Sequence, residues 1–524
     1  MPVQLSYPGV YLQEIPSGVR SITGVSTSLT AFIGRALKGA TNKAILITSY
    51  ADFERRFGGL WYESTMSYCV RDFFLNGGSQ ALIVRIEKDA ASATLDVDVL
   101  ISPPENLLIF KAASPGEWGN KISIQLDFNV VDPKNENLFN LMVYYKNSED
   151  KDVQVERHLN VSLIPSDIRF LPKVLKNSSS YLLIDETQEG SGIWNIPQGR
   201  PYINTSSNKF LKGGSDGVEP EPTEYNGSDL EKSGLFALKY VDYFNLLCVP
   251  PPARLKNTDP SVYSQALAIC VEQRAVLLMD PPIEWGVNPA NAVDNAKSNY
   301  LNLGVSGSDA RNAALFFPCI IQPDPLRDNQ LDTFVPCGMI AGLIAKNDAS
   351  YGVWNAPAGI KAGLSGISGL QVNLIDKENG VLNPLGINCL RNLPGVGRVV
   401  WGARTMRGAD IFADEYKYLP VERMKLFLQQ SLYWGLQWVV FEPNDEPLWS
   451  QIRLNVGAFM HSLYVKGAFQ GRKNGAYFVK CDSETTTQTD INLGIVNIVV
   501  GFQPLKPAEF VVMTFQQIAG KIET

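Results

Sequence analysis

A β-strand with no core beside it is the hardest constraint this chain sets. "SYPGVYLQEIPSG", residues 6–18, reads as one: Val10, Tyr11, Leu12, Gln13, Glu14 and Ile15 form an extended, β-favouring run fenced by Pro8, Pro16 and Gly18. Backbone donors and acceptors in a strand must be paired, yet nothing core-like begins before about residue 26. Two solutions exist. The strand folds back as an edge of its own subunit, or it pairs with another chain. Gly18 and Gly24 offer hinge positions for either path.

A chain of 524 residues exceeds one compact core, so roughly two to four domains are expected. Hydrophobic content of 45% with 19% charged residues fits an ordinary globular protein. A net charge of −7 argues against general nucleic-acid binding, which needs a basic surface. The start, "MPVQLSYPGV", has neither a cationic lead nor an apolar run, so no secretion signal is expected. No stretch reaches the ~20 apolar residues of a membrane-spanning helix. The seven cysteines (Cys69, Cys248, Cys270, Cys319, Cys337, Cys389 and Cys481) are widely spaced without a CxxC pair, which fits reduced, buried thiols in a cytoplasmic product.

The texture along the chain predicts a multidomain α/β and α+β protein. An extended arm covers 1–25. "TAFIG" and "KAILIT" read as buried strands, "SYADFERRFG" as a short helix stopped by glycine, "ESTMSYCVRDFFLNGG" as a longer helix, and "QALIVRI" as another strand. This α/β pattern occupies 26–87 and resumes over 230–393 with "FNLLCVPPP", "SVYSQALAICVEQR" and "AVLLMDPP". Between them, 88–229 is strand-rich and reads as an inserted, mainly β domain closing at the acidic "FLKGGSDGVEPEPTEY". The last domain, 394–524, carries an amphipathic helix from about Val421 to Phe441, with Glu422 and Lys425 on its polar face. A second helix begins near Asp445 and Pro447, and two strand runs follow, the last including Phe510, Val511, Val512 and Met513.

Tests for an enzyme fail on particular residues. "GRALKGAT", residues 34–41, nearly matches a phosphate-binding loop, but Ala40 stands where the phosphate-reaching lysine belongs. "GGSDG", residues 213–217, formally fits a nucleophile elbow, yet "VEPEPTEY" after it is a poor helix start, so a surface turn is expected. His158 and His461 are the only histidines, and no metal-ligand spacing occurs. The pairs Asp414/Glu415 and Asp445/Glu446 read as solvated or helix-capping carboxylates. No catalytic residue, cofactor or metal is expected.

The two ends carry a resemblance. "YPGVYLQEIPSGVRSITGVSTSLTAFIGRALKG" and "FFLNGGSQALIVRI", then "VVWGARTM", "YKYLPVERM", "FEPNDEPLWSQI", "GAFQG" and "KPAEFVV", occur in the order found in contractile tail sheath proteins. The likeness spans about residues 7–85 and 236–515; each piece is short, and the ordered set is what carries it. "FNLLCVPPP" and "GVWNAPAG" look more like phage-tail-like bacterial injection devices than a true phage.

The resemblance implies a homo-oligomeric helical cylinder of stacked rings around an inner tube, capped by terminator and baseplate proteins. It assembles extended in the bacterial cytoplasm, then shortens to drive the tube through an envelope as part of an extracellular or cell-anchored particle. Neighbours would be linked by strand exchange, the arm and C-terminal segments completing a small sheet in an adjacent subunit. About four to six backbone hydrogen bonds at roughly 0.5–1.5 kcal/mol each would supply on the order of 2–9 kcal/mol before ordering costs. Burial of Val10, Tyr11 or Leu12 adds about 1.5–3 kcal/mol apiece. Basic residues of the C-terminal domain, Arg423, Lys425, Arg453, Lys466, Arg472 and Lys473, are candidates to meet an acidic tube. The tail sheath of a contractile bacteriophage is one alternative. A soluble α/β enzyme and a monomeric binding module are others.

Overall fold

The structure is a computed structural model describing residues 20–99, 107–147, 149–185 and 209–510, with short pieces at 189–190, 193–194, 196 and 201–202. The chain divides into two compact units. The larger holds Ser28–Lys346 and Pro357–Lys417; the smaller holds Asn347–Ala356, the chain from Tyr418, and the segment leading to Thr27.

The larger unit is built on strands whose residues are buried on both faces, the signature of a covered parallel sheet. β1 (Thr30–Gly34) is followed by β2 (Ile45–Ile47), helices α1 (Tyr50–Phe57) and α2 (Thr65–Leu75), and β3 (Ala81–Arg85). Ser49 caps α1 by accepting from the Asp52 N–H, and Gly58, at φ 92°, ends it by donating to Glu54 O. β1 and β3 run parallel, with Phe32 opposite Ile83.

The strand-rich stretch after β3 forms β4 (Thr94–Val99), β5 (Leu107–Ala112), β6 (Ile122–Asp127), β7 (Phe139–Lys146), β8 (Asp152–Val161) and β9 (Leu182–Ile184). Two antiparallel four-stranded sheets result, completed by Pro201–Tyr202 beside β4 and Lys209–Phe210 beside β6. Both close on one core that includes Phe110, Trp118, Ile124 and Phe139. The entering and leaving chains pair as a stem: Ala91 and Ser215 exchange backbone bonds of 2.9 and 3.0 Å, and Thr94 and Lys212 bonds of 2.8 and 2.9 Å. "GGSDG" is therefore not the expected surface turn. It lies along this stem, because residues distant in sequence offer its backbone partners. "VEPEPTEY" does start a helix, α3 (Pro222–Asn226): proline at the first turn and a Glu221/Glu224 capping box hold it, with the Glu221 N–H donating to Glu224 at 2.8 Å.

The sheet resumes with β10 (Leu246–Cys248), α4 (Pro260–Gln273), β11 (Val276–Met279) and β12 (Ala313–Phe317); α5 (Cys337–Tyr351) follows, then β13 (Ile387–Leu393) and β14 (Gly397–Val400). Its order is β2-β3-β1-β10-β11-β12-β13-β14, parallel except at the two edges. Since the β13–β14 hairpin completes this sheet beyond residue 394, the division between compact units falls at Lys417 and Tyr418. All seven cysteines are buried and unbridged. Among the described residues, no helix is long and apolar enough to cross a membrane.

Candidate assembly surface

The smaller unit grows from two helices, α6 (Leu419–Gly435) and α7 (Glu446–Val465). Proline sits in the first turn of each, and Asp445 caps α7 through the Leu448 N–H at 3.2 Å. Their apolar faces share one core with Met424, Leu428, Ile452, Val456 and Phe459. α6 stops at Gly435 and gives way to a 3-10 turn, Gln437–Val439, rather than continuing to Phe441.

Residues 20–27 are fastened to α6, the turn after it and α7. Arg20 donates its N–H to Asn455 Oδ1 at 3.2 Å and lays its guanidinium 4.8 Å from the Trp438 ring centre. Ile22 is buried against Gly435, the Val25 N–H reaches Ser431 Oγ at 3.2 Å, and Thr27 O accepts from Arg423 at 2.8 Å. Gly24, a candidate hinge, lies within this fastened segment; a Cβ there would stand 2.8 Å from the tip of the Phe427 ring. Gly18 and the arm residues Val10, Tyr11, Leu12, Gln13, Glu14 and Ile15 lie outside the described residues.

Beyond α7 the chain forms a very small sheet. β15 (Tyr477–Lys480) pairs antiparallel with β16 (Val499–Phe502), Phe478 opposite Gly501. One face, Tyr477, Val479, Val500 and Phe502, packs on the helix core. Among the described residues neither strand has a second ladder partner, and a free two-stranded sheet of four-residue strands is marginal in water. Its open edges are templates for further strands. Strand β15 was not singled out from sequence; the signal available was "AYFVK", aromatic and β-branched residues after Gly475. Phe510 is described and exposed, while Val511, Val512 and Met513 lie outside the described residues.

The six basic candidates separate into two groups. Arg423 is buried in a bidentate ion pair with Asp348, its Nη1 2.9 Å from Oδ1 and both side chains 3% exposed. It is not a surface cation. Lys425 is paired with Glu422. Arg453 bonds to Glu446 and to the Cys481 carbonyl. Lys466, Arg472 and Lys473 are exposed on the connection between α7 and β15, Lys473 opening the short helix Lys473–Ala476, and they form no ion pair among the described residues.

Asp414, Asp445, His158 and His461 are engaged in local contacts. Asp414 accepts from Arg311 and Arg407, which hold its carboxyl below the usual range against the opposing effect of burial. Asp445 is the α7 cap. His158 sits on β8, its Nε2 3.1 Å from Glu156. His461 stacks on Tyr464. In the loop after β1, Arg35 lies 4.6 Å from the Trp61 ring centre and Lys38 4.8 Å from that of Tyr181. Burial lowers the Lys38 pKa. No group of three His, Cys, Asp or Glu side chains is placed to hold a metal among the described residues.

Comparison with known proteins agrees with this architecture. The model of the phage tail sheath protein central domain matches residues 228–406, and that of the phage tail sheath C-terminal domain matches 413–518, together more than half of the chain. No curated protein sequence matches it. Among solved structures, the sheath complex of an extracellular contractile injection system (PVC) in the contracted state is 19% identical, with a TM-score of 0.56 over 98% of this chain and 99% of that one. The helical sheath of the anti-feeding prophage in the contracted state is 21% identical, with a TM-score of 0.55 over the same shares. A sheath tail protein from Listeria innocua is 13% identical, with a TM-score of 0.58 over 93% of this chain and 96% of that one. At these identities the likeness is one of fold.

Proposed function

The chain belongs to the phage tail sheath protein family, and on that premise we propose that it polymerises around an inner tube and contracts to drive that tube through a target envelope. It acts as a structural subunit, not as an enzyme. The observation that carries the linkage is the β15–β16 sheet, too small to be complete and without a second partner on either strand among the described residues. The arm, Val10 to Ile15, and the segment Phe510 to Met513 are the strands assigned to it, supplied by neighbouring copies. Backbone pairing gives such a joint affinity, and alternate side chains fix its register.

The exposed loop bearing Lys466, Arg472 and Lys473 is the part assigned to an acidic inner tube, since it offers cations not already spent within the chain. Single exposed pairs are weak, so several such contacts hold the extended state and release on contraction. Baseplate and cap proteins would bound the cylinder. Assembly would occur in the bacterial cytoplasm, and the finished particle would act outside the cell or anchored to it. The inserted β domain is assigned to the outer surface of the cylinder.

Electron microscopy of variant cylinders tests the linkage. Deletion of residues 1–16 should abolish full-length cylinders that contract, and reversing Lys466, Arg472 and Lys473 to glutamate should impair extended assembly on the tube. Normal, contractile cylinders from the deleted chain would show that the arm is not the connector.

A further inference from the structure

The seven buried thiols take no part in the assembly surface, and two of them touch. Cys69 lies on α2 and Cys337 opens α5, 268 residues later in the chain, yet the Cys337 thiol donates to Cys69 Sγ at 3.8 Å. The two helices meet there backbone to backbone. A Cβ on Gly338, the residue after Cys337, would stand 2.7 Å from Cys69 Cα. Cys337 is held in place, its N–H bonded to Asp280 Oδ1 at 2.8 Å. A disulfide needs its sulfurs about 2.05 Å apart and its Cα atoms within about 7 Å. With the backbones already adjacent, the remaining closure falls to rotation about the two Cα–Cβ bonds. Cys248, at the end of β10, is the nearby competitor; its thiol is turned to the Cys337 carbonyl at 3.6 Å.

We propose that Cys69 and Cys337 form a crosslinking site, converted to a disulfide by a peroxide once the particle has left the reducing cytoplasm. The class of oxidant follows from the site. Both side chains are buried. The contact with Cys337 and burial raise the Cys69 pKa, and burial raises that of Cys337. Neutral thiols in a closed core do not exchange with bulky disulfides, which leaves a small uncharged oxidant such as hydrogen peroxide. One sulfur attacks a peroxide oxygen, the O–O bond breaks, and a sulfenic acid and one water result. The second sulfur then displaces the hydroxyl as a second water, and the S–S bond forms. Both thiol protons end in water, and the two electrons lost by the sulfurs reduce the peroxide. The bond ties α2 to α5, and a crosslink closing so long a loop acts mainly by constraining the unfolded chain. A subunit working outside the cell thereby resists unfolding without changing its fold. Exposure to the oxidant rests on the sheath reading; the chemistry of the pair does not.

In the test, purified full-length chain is treated with hydrogen peroxide, unfolded, alkylated without reduction, weighed and mapped by proteolysis. The treated chain should carry two fewer alkyl groups than the seven of the untreated chain. The peptides holding Cys69 and Cys337 should stay joined until dithiothreitol parts them. Tm should rise by about 3 °C or more and fall back on reduction. Cys69→Ala should yield no joined peptide and no rise in Tm; the wild-type map decides the matter even where that variant folds poorly. Seven alkylated thiols after prolonged peroxide, a joint through Cys248 instead, or joined peptides with an unchanged Tm would overturn the proposal. Particles collected from the medium should give the joined peptides and lysed cells the free ones, and free thiols in both would overturn the assigned stage. Crosslinking by a chain that never forms tubes would sink the sheath reading and leave the bond standing, so the two failures are distinguishable.

Discussion

Asp280 follows β11 and is buried. Its Oδ1 accepts the Cys337 N–H at 2.8 Å, at the start of α5, while Oδ2 has no hydrogen-bond partner. Burial is the largest influence on its carboxyl and pushes the pKa up to about 7 from 3.8, against the opposing effect of hydrogen bonding to Cys337. A raised carboxyl pKa means the folded chain holds a proton that the unfolded chain has already lost. Its stabilising contribution is therefore complete below about pH 4 and lost as pH rises toward 7. Asp280→Asn keeps the acceptor and removes the charge. It should flatten that decline and raise stability at pH 8 by on the order of 1–3 kcal/mol, read from urea midpoints at pH 5 and pH 8. Equal midpoint shifts at both pH values would show that the carboxyl is not protonated in the fold. Arg423 makes the companion point: its charge suggests surface, but Asp348, 75 residues away, takes it inside. A buried ion pair of that kind is invisible to local pattern, and reversing it would damage the fold before it tested any partner.

Between elements, α5 approaches α2 closely. A Cβ at Gly338 would stand 2.1 Å from Cys69 O, and one at Gly342 would stand 2.3 Å from Phe73 O. Both obstacles are backbone, so neither can swing aside. Gly338→Ala should force the helices apart and cost about 1–3 kcal/mol, lowering the urea midpoint of the full chain; an unchanged midpoint would contradict the packing. The elements that sequence made legible are those with strong local signals. β1 and β3 read as apolar runs, and α1 carries Ser49 at its start and Gly58 at its end. Less legible were elements decided by distant partners. Residues 212–218 look like a glycine-rich turn until residues 88–94 pair with them. The end of α6 at Gly435 and the four-residue β15 also escaped periodicity, being too short or too dependent on packing to impose a pattern.

For the whole molecule, the chain comprises two compact units, an inserted two-sheet domain and, among the described residues, a two-stranded sheet with open edges. The ordered motifs at the two ends made the family legible, whereas the partner of each surface was not, because contacts between copies leave no periodicity in one chain. Of the basic residues legible in the sequence, Lys466, Arg472 and Lys473 are exposed and Arg423 is buried in its ion pair, a difference that depends on a partner 75 residues away and leaves no local pattern. Electron microscopy of the purified full chain tests the central claim most directly. The account predicts striated helical tubes of regular pitch; a homogeneous field of small discrete particles, at every concentration tried, would contradict it.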